Sequence, residues 1–272
     1  MPLSTDTLFH FSNLNAIKNI LKSKLFWPVY NLERFTSELY TDHAYAIPMV
    51  CFCDLDFNLT SYHQKEYGTC SIGLKKSWAI KKKLNPVSYQ LEQSTFTSAT
   101  ENLTQLLQMI SERPTEKGLV GVDPNNILLN EVLNSQIKNA PQILHLLHKF
   151  LITIHAFKKP YQRKAVNYYD EREWRYVPEM YPDYFVEYEN IKNKNVHRLV
   201  INEETYNNVS EKKALQDYLN KNFSLKFQEN DVNLIIVESE NSKTEIQDEL
   251  KECYSYDFIK NNIKTYEEIN LK

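Results

Sequence analysis

The stretch from Tyr168 to Val177 constrains the fold of this chain more than any other, because it sets aromatic, strand-forming residues among acidic and basic ones. Aromatic and β-branched side chains favour a β-strand. Side chains alternate between the two faces of a strand, so Glu171, Glu173 and Arg175 are predicted to share one face. The other face is predicted to carry Arg172, Trp174 and Tyr176, the last two as core side chains.

Two glutamates on one strand face repel each other unless a cation, a ligand or a reaction answers their charge. This stretch is therefore the best candidate for a functional site. One interpretation is catalysis by the carboxylates. The alternatives are an ion-pair ladder on a half-exposed strand, worth about 0–1 kcal/mol per pair, and contact with a protein partner.

The glycine content limits the nucleotide sites that are available. Only 4 of the 272 residues are Gly, and neither GxGxxG nor GxxxxGK[ST] occurs. A dinucleotide fold or a P-loop site therefore does not fit. The net charge of −3 argues against nucleic-acid binding through bulk charge. No signal peptide and no apolar run of about 18 residues is found, so we expect a cytoplasmic protein without membrane contact.

Four cysteines are expected to be reduced and buried in strands. Cys51 and Cys53 form a CxC pair, and no second pair stands at zinc-ribbon spacing. A metal site that draws on His63 and Cys70 is the alternative, although we predict none. His63 itself is expected in a surface or hinge position.

Hydrophobic periodicity predicts a single α+β domain over residues 1–272 with a mainly helical insertion at about 95–160. Predicted strands cover residues 7–11, 47–54, 69–75, 173–178, 196–201 and 232–237. Ser12 is the predicted N-cap of the first helix, and Pro48 is expected at a strand start. Further helices are predicted at 77–83, 202–220, 244–254 and within 255–272, with a turn or short helix at 59–67.

The one basic cluster of the chain lies around Trp78. A solvated helix face is one interpretation. Contact with nucleic acid or a nucleotide phosphate is the other, because a net-acidic protein can still bind phosphate locally. The candidate contact residues are Lys75, Lys76, Lys81, Lys82 and Lys83.

The order of elements resembles the ADP-ribosyltransferase-like fold, in which a split mixed β-sheet binds NAD in a cleft. Residues 8–14 and 17–21 are similar to the opening of such proteins, including DarT toxins and tRNA 2′-phosphotransferases. Glu171-Arg172-Glu173 resembles their Glu-x-Glu motif. The resemblance implies NAD as the substrate, with no metal.

That resemblance also implies site residues. Glu173 would stabilise an oxocarbenium-like transition state, Glu171 would orient or deprotonate the acceptor, and His10 would hold the nicotinamide ribose. Arg175 would hold a pyrophosphate or pair with Glu173. The implied cofactor-binding residues are His10, Ser12, Tyr62, Tyr67 and Arg175, where spacing does not choose between the two tyrosines.

Longer blocks resemble a second family. Residues 47–54, 67–68, 72–78, 84–87 and 169–178 are similar, in order, to the AbiGi family of bacterial abortive-infection (phage-resistance) systems. The resemblance implies an antitoxin paired with a nucleotidyltransferase-like toxin. Cys51-Phe52-Cys53 stands where an arginine-type ADP-ribosyltransferase would carry Ser-Thr-Ser. The sequence therefore departs from the motif of the arginine-type mechanism.

Two functional hypotheses follow. The first is an ADP-ribosyltransferase-like effector that modifies nucleic acid or protein during infection, and it predicts a cleft where His10 and Glu173 converge. The second is a non-catalytic antitoxin that neutralises a partner toxin, and it predicts an exposed apolar or charged patch. A nuclease ranks below both, because no Asp, Glu and His cluster has metal-ligand spacing.

Overall fold

A computed structural model describes residues 5–37, 40–90, 94–96, 98–99, 159–160, 162–163, 166–178 and 201–270. The predicted helical insertion lies almost entirely outside them, as does most of the strand predicted at 196–201. The single domain over residues 1–272 stays a prediction.

The strands of the described chain are numbered in sequence order. They are β1 (Thr7–Ser12), β2 (Leu25–Phe26), β3 (Val29–Ser37), β4 (Tyr40–Cys53), β5 (Cys70–Lys75), β6 (Asn85–Pro86), β7 (Tyr89–Gln90), β8 (Lys159–Pro160), β9 (Gln162–Arg163), β10 (Val166–Asn167), β11 (Glu173–Tyr176), β12 (Ile201–Asn202), β13 (Leu225–Lys226), β14 (Val232–Val237) and β15 (Ile263–Thr265).

The helices are numbered in the same way. They are α1 (Leu14–Ser23), α2 (Ser61–Tyr67), α3 (Lys76–Lys81), α4 (Glu203–Asn207), α5 (Val209–Asn222), α6 (Glu240–Leu250), α7 (Tyr256–Asn262) and α8 (Tyr266–Asn270). Short 3₁₀ turns cover Phe57–Leu59, Tyr168–Glu171 and Glu229–Asp231.

The described strands form a mixed sheet with the order β15-β14-β5-β1-β4-β11-β6, and β3 and β12 also pair with β4. The β14–β15 pair is parallel, and the other ladders along this path are antiparallel. The predicted α+β class with a mixed sheet is therefore confirmed.

The ladder between β1 and β4 is unusually short. β1 pairs with β5 over six positions, from Thr7 to Ser12. It pairs with β4 only where Phe9 lies opposite Cys53. Residues 50–53 of β4 then pair with β11, and its earlier residues pair with β3. The sheet therefore has a junction beyond Phe9, where β1 and β4 share no further ladder pairs.

Each face of the sheet buries its own apolar cluster. Leu8, Phe52 and Ile235 belong to the larger cluster on one face. Phe9 and Cys53 belong to a smaller cluster on the other face. Burying one such large apolar side chain contributes about 1.5–3 kcal/mol. The alternation of β1 and β4 between these clusters fixes the face that each functional side chain on these strands and on the paired β11 occupies.

The strand predicted from the apolar, β-branched run at 232–237 is β14, and its bounds match the prediction to the residue. β4 is longer than predicted, so Pro48 lies inside it rather than at its start. Pro48 falls between the positions that pair with β12 and with β11. The missing N–H of proline is tolerated there, because no second neighbour is paired at that position.

Other boundaries also differ from prediction. Asn13, not Ser12, caps α1, and its Oδ1 accepts from the Ala16 amide. The helix predicted at 202–220 is two helices, because Asn208 caps the second one. The helix predicted within 255–272 is instead two helices, α7 and α8, separated by β15. No local sequence pattern predicts that β15 pairs with β14.

Candidate functional site

The charged residues of β11 lie on the face that carries the smaller apolar cluster. Glu173 pairs with Cys53 and Arg175 with Cys51 of β4. Both side chains are buried, Glu173 at 7% and Arg175 at 1% exposure. The predicted half-exposed ladder is therefore wrong about exposure.

Arg175 is held by two carboxylates. Its Nε donates to Oε1 of Glu173 at 2.8 Å, and its Nη2 donates to Oε1 of Glu33 at 2.7 Å. A further Nη2 bond reaches Oε2 of Glu173 at 3.3 Å. Burial opposes the charge on Arg175, but the two carboxylates outweigh it, and the pKa of the guanidinium is raised. Arg175 thus pairs with Glu173, the second of its two predicted roles.

Glu171 reaches the same region by a different route from the one predicted. It ends the 3₁₀ turn Tyr168–Glu171 and is not part of the strand, yet it is only 3% exposed. Arg172 follows with a φ of 47°, in the left-handed region. This single residue breaks the alternation, so the prediction that Glu171 and Arg172 lie on opposite faces of one strand is wrong.

Contacts on both sides hold the turn. The guanidinium of Arg172 lies 4.1 Å from the ring centre of Tyr169 instead of joining Trp174. The carbonyl of Arg172 accepts from the Asp54 amide at 2.9 Å. Tyr89 Oη accepts from the Glu173 amide at 2.9 Å. The turn is therefore tied to the end of β4 and to β7.

The thiols of Cys51 and Cys53 lie beside these carboxylates, and neither forms a disulfide within the described residues. Burial, followed by the charges of Asp54, Glu171 and Glu173, raises the pKa of Cys53. A thiol with a raised pKa is a poor nucleophile. Cys53 in β4 and Cys70 in β5 are buried, as predicted, whereas Cys51 in β4 and Cys253, which follows α6, are only half-buried. In the described ranges no three His, Cys, Asp or Glu side chains group as a metal ion requires.

His10 lies at the junction between β1 and β4. Its Nδ1 lies 2.9 Å from the carbonyl oxygen of Cys51, and a carbonyl only accepts, so Nδ1 carries the proton. The ring packs against Phe26 and Phe52. Phe52 belongs to the larger apolar cluster, so His10 lies on the face opposite Glu173. The structure does not bring His10 and Glu173 together on one face.

Desolvation lowers the pKa of His10 from 6.5, and the bond to the Cys51 carbonyl opposes this only in part. In the unfolded chain His10 therefore binds a proton near pH 6.5, whereas in the folded chain it binds the proton only at lower pH. We expect the free energy of unfolding to fall as pH drops below about 6.5, by up to about 1.4 kcal/mol per pH unit.

Urea unfolding at about pH 7.5 and about pH 5.5 checks this expectation. His10→Phe keeps an aromatic ring at the position and removes the titrating group, so the variant should lose part of the pH dependence. Equal pH dependence in the two proteins would contradict the assignment.

The middle of the chain places further candidate residues on α2. Tyr62 and Tyr67 are exposed, at 36% and 51%. His63, between them, is buried and contacts Phe11, so its predicted surface position is wrong, whereas the hinge role stays a prediction. A Cβ at Gly68 would lie 2.4 Å from the backbone carbon of Ser12. This close approach brings the end of α2 against the end of β1.

The predicted basic cluster divides in two. Lys76 donates from Nζ to both oxygens of Asp54, at 2.8 and 2.7 Å, and lies over the Trp174 ring. Lys75, Lys81 and Lys83 are exposed, and Lys82 is half-buried. Lys76 is thus paired within the fold, whereas most of the other lysines of the cluster are exposed.

The acidic cluster therefore consists of Glu33, Glu171, Glu173 and Arg175. The sequence identified three of its members and missed Glu33. No local signal marks Glu33, because it is a lone acidic residue in a stretch for which no element was predicted. Its partner Arg175 lies 142 residues further along the chain.

A family model described as "Putative abortive phage resistance protein AbiGi, antitoxin" matches residues 24–238. A protein of Lactococcus lactis subsp. cremoris, described as "Abortive phage resistance protein AbiGi", is 30% identical over 142 residues. The match covers 50% of this chain and 53% of that relative, so the chain spans about half the length of the curated relative it matches.

No solved structure matches the chain. Among the helices that the structure describes, none combines the length and the apolar character needed to cross a membrane.

Proposed function

The chain belongs to the AbiGi family of abortive phage resistance proteins, and from this premise we propose that it acts in anti-phage defence as an antitoxin-type binding module. Its partner would be a toxin of the nucleotidyltransferase-like class. The description of the family as an antitoxin supports this proposal.

The closed state of the acidic cluster is the observation that carries the proposal. A carboxylate that stabilises a cationic sugar must be available to it. Here both oxygens of Glu173 accept from Arg175, and Arg175 is 1% exposed. Paired in this way, the cluster acts as a structural element of the sheet, and a binding function does not require it to open.

A second candidate is ADP-ribosyl transfer from NAD to nucleic acid or protein. The junction between β1 and β4 favours it, because these strands share one ladder pair and then part, as the strands of a split sheet would. Two buried carboxylates, Glu171 and Glu173, also lie at the start of β11. This candidate requires Glu173 to leave Arg175, and a ribose-binding role for His10 requires a contact across the sheet.

One pair of measurements tests both candidates. The chain is co-expressed with the protein encoded beside it, and growth is followed. The purified chain is also offered NAD with DNA, RNA or cell extract. We expect the chain to restore the growth that the neighbouring protein arrests when it is expressed alone. We also expect NAD to remain intact. Growth arrest that the chain does not relieve would contradict the antitoxin function.

The transferase candidate has a matched pair of variants. Glu173→Gln removes the proposed catalytic carboxylate, and Glu33→Gln removes the other carboxylate that binds Arg175. Both disturb the same ion-pair cluster. NAD consumption that only Glu173→Gln abolishes would establish the transferase and displace the non-catalytic function.

A further inference from the structure

The exposed side of α3 combines positive charge with an apolar side chain. Residues 75–83 contain five lysines and no acidic residue. Ile80 is 62% exposed, although Trp78 and Ala79 on the same helix are buried. Solvated helix faces are normally polar throughout. We define the α3 surface by Ile80 and Lys81 of α3, by Lys75 directly before the helix and by Lys226 of β13.

Lys226 joins this surface through the fold. The Trp78 indole Nε1 donates to the carbonyl oxygen of Lys226 at 3.3 Å, which places β13 beside α3. In β13, Leu225 is buried and Lys226 is exposed. The exposed Lys226 therefore lies on a segment next to α3, although it is 148 residues from Trp78 in the chain.

The lysines of this surface are not neutralised within the described fold. Lys76, which is not part of this surface, forms an ion pair with Asp54. Lys75, Lys81 and Lys226 are exposed and form no ion pair with any carboxylate that the structure describes. The chain as a whole carries a net charge of −3, so this concentration of positive charge runs against the overall composition.

Single-stranded nucleic acid is held by exposed aromatic rings that stack on its bases. The only aromatic residue of 75–83 is Trp78, which is 3% exposed and hydrogen-bonded through its indole. An apolar side chain with charged residues around it instead matches the centre and rim of a protein interface. The chemistry therefore favours a protein over a nucleic acid.

We propose that the α3 surface docks an acidic protein surface, with Ile80 entering an apolar pocket and the lysines facing carboxylates at its rim. This inference rests on the proposed function and names the surface through which it would operate: the occupant is the toxin partner. Charge complementarity of this kind speeds association and selects the partner.

The test measures binding of the purified chain to the protein encoded beside it, together with growth rescue in cells. Ile80→Glu places a charge at the apolar centre, and we expect affinity to fall on the order of 30-fold, as for an interface hot spot. Lys75→Glu with Lys81→Glu should weaken binding about tenfold or more and reduce its salt dependence.

Matched controls separate a docking role from a general effect of charge. Lys213→Glu with Lys221→Glu makes the same charge change on exposed lysines of α5, and binding should stay unchanged. Unfolding midpoints of all variants should match that of the wild type, so that lost binding reflects the surface. Labelled single-stranded and duplex DNA and RNA serve as alternative ligands.

The outcomes are distinct. Wild-type rescue and binding that only the α3 variants lose would support the inference. Rescue without binding, or binding that the α3 variants retain, would overturn the α3 surface and leave the antitoxin function standing. Absence of both rescue and binding would overturn both. Binding to the nucleic acids through the same lysines would replace the protein partner by a nucleic acid.

Discussion

Arg175→Met is expected to lower the free energy of unfolding by about 3–5 kcal/mol, because it leaves buried carboxylate charge without its cationic partner. Arg175 is 1% exposed and is the shared partner of Glu173 and Glu33. Methionine is shorter than arginine but flexible and of comparable volume, so the loss reports mainly the ion pairs and only to a small extent a cavity. Chemical denaturation at neutral pH measures the change.

A triple variant provides the control for this prediction. Arg175→Met with Glu173→Gln and Glu33→Gln removes the guanidinium and both carboxylates together. Replacing a whole buried ion cluster by neutral side chains is often close to neutral. We therefore expect the triple variant to regain much of the stability that Arg175→Met loses. A triple variant no more stable than the single one would show that Arg175 acts mainly through packing.

Arg175→Lys sharpens the interpretation further. Lysine keeps the positive charge but cannot donate from two nitrogens in the fixed plane that Glu173 and Glu33 occupy. An intermediate loss of stability is expected. Wild-type stability in Arg175→Lys would mean that charge alone suffices and that the geometry of the guanidinium is unimportant.

Gly68→Ala is expected to destabilise the fold by about 2–5 kcal/mol, from backbone strain and overpacking combined. Gly68 has a φ of 127°, in the region that side chains rarely adopt. The added Cβ would also lie 2.4 and 2.5 Å from the Ser12 carbon and oxygen. These are backbone atoms of β1, so neither can move aside without disturbing the strand that carries His10.

Gly73→Ala is the matched control. At Gly73 the nearest atoms to an added Cβ belong to side chains, Thr7 Cγ2 at 2.7 Å and Phe9 Cε1 at 2.9 Å. Side chains adjust more readily than backbone, so we expect a smaller loss of about 1–2 kcal/mol. Thermal and urea unfolding of both variants check the order. A larger loss at Gly73 than at Gly68 would contradict this account of the contact between α2 and β1.

The sequence determined those parts of the molecule whose signal is local. The β-branched run of Val232 to Val237 gives β14, and the apolar spacing of Leu14, Ile17 and Leu21 gives α1. The family also followed from the sequence, because long blocks such as 169–178 keep their order along the chain. Glu171, Glu173 and Arg175 were recognised as a cluster for the same reason, since they are close together in the chain.

Tertiary structure decided the features that join distant segments. The left-handed turn at Arg172 removed Glu171 from the strand, and a single φ of this kind is invisible to a period-two pattern. The ion pair of Arg175 with Glu33, and the position of His10 opposite Glu173, depend on which strands become neighbours in the sheet. Side-chain periodicity records the faces of one element at a time, whereas strand order is set by the burial of the whole sheet.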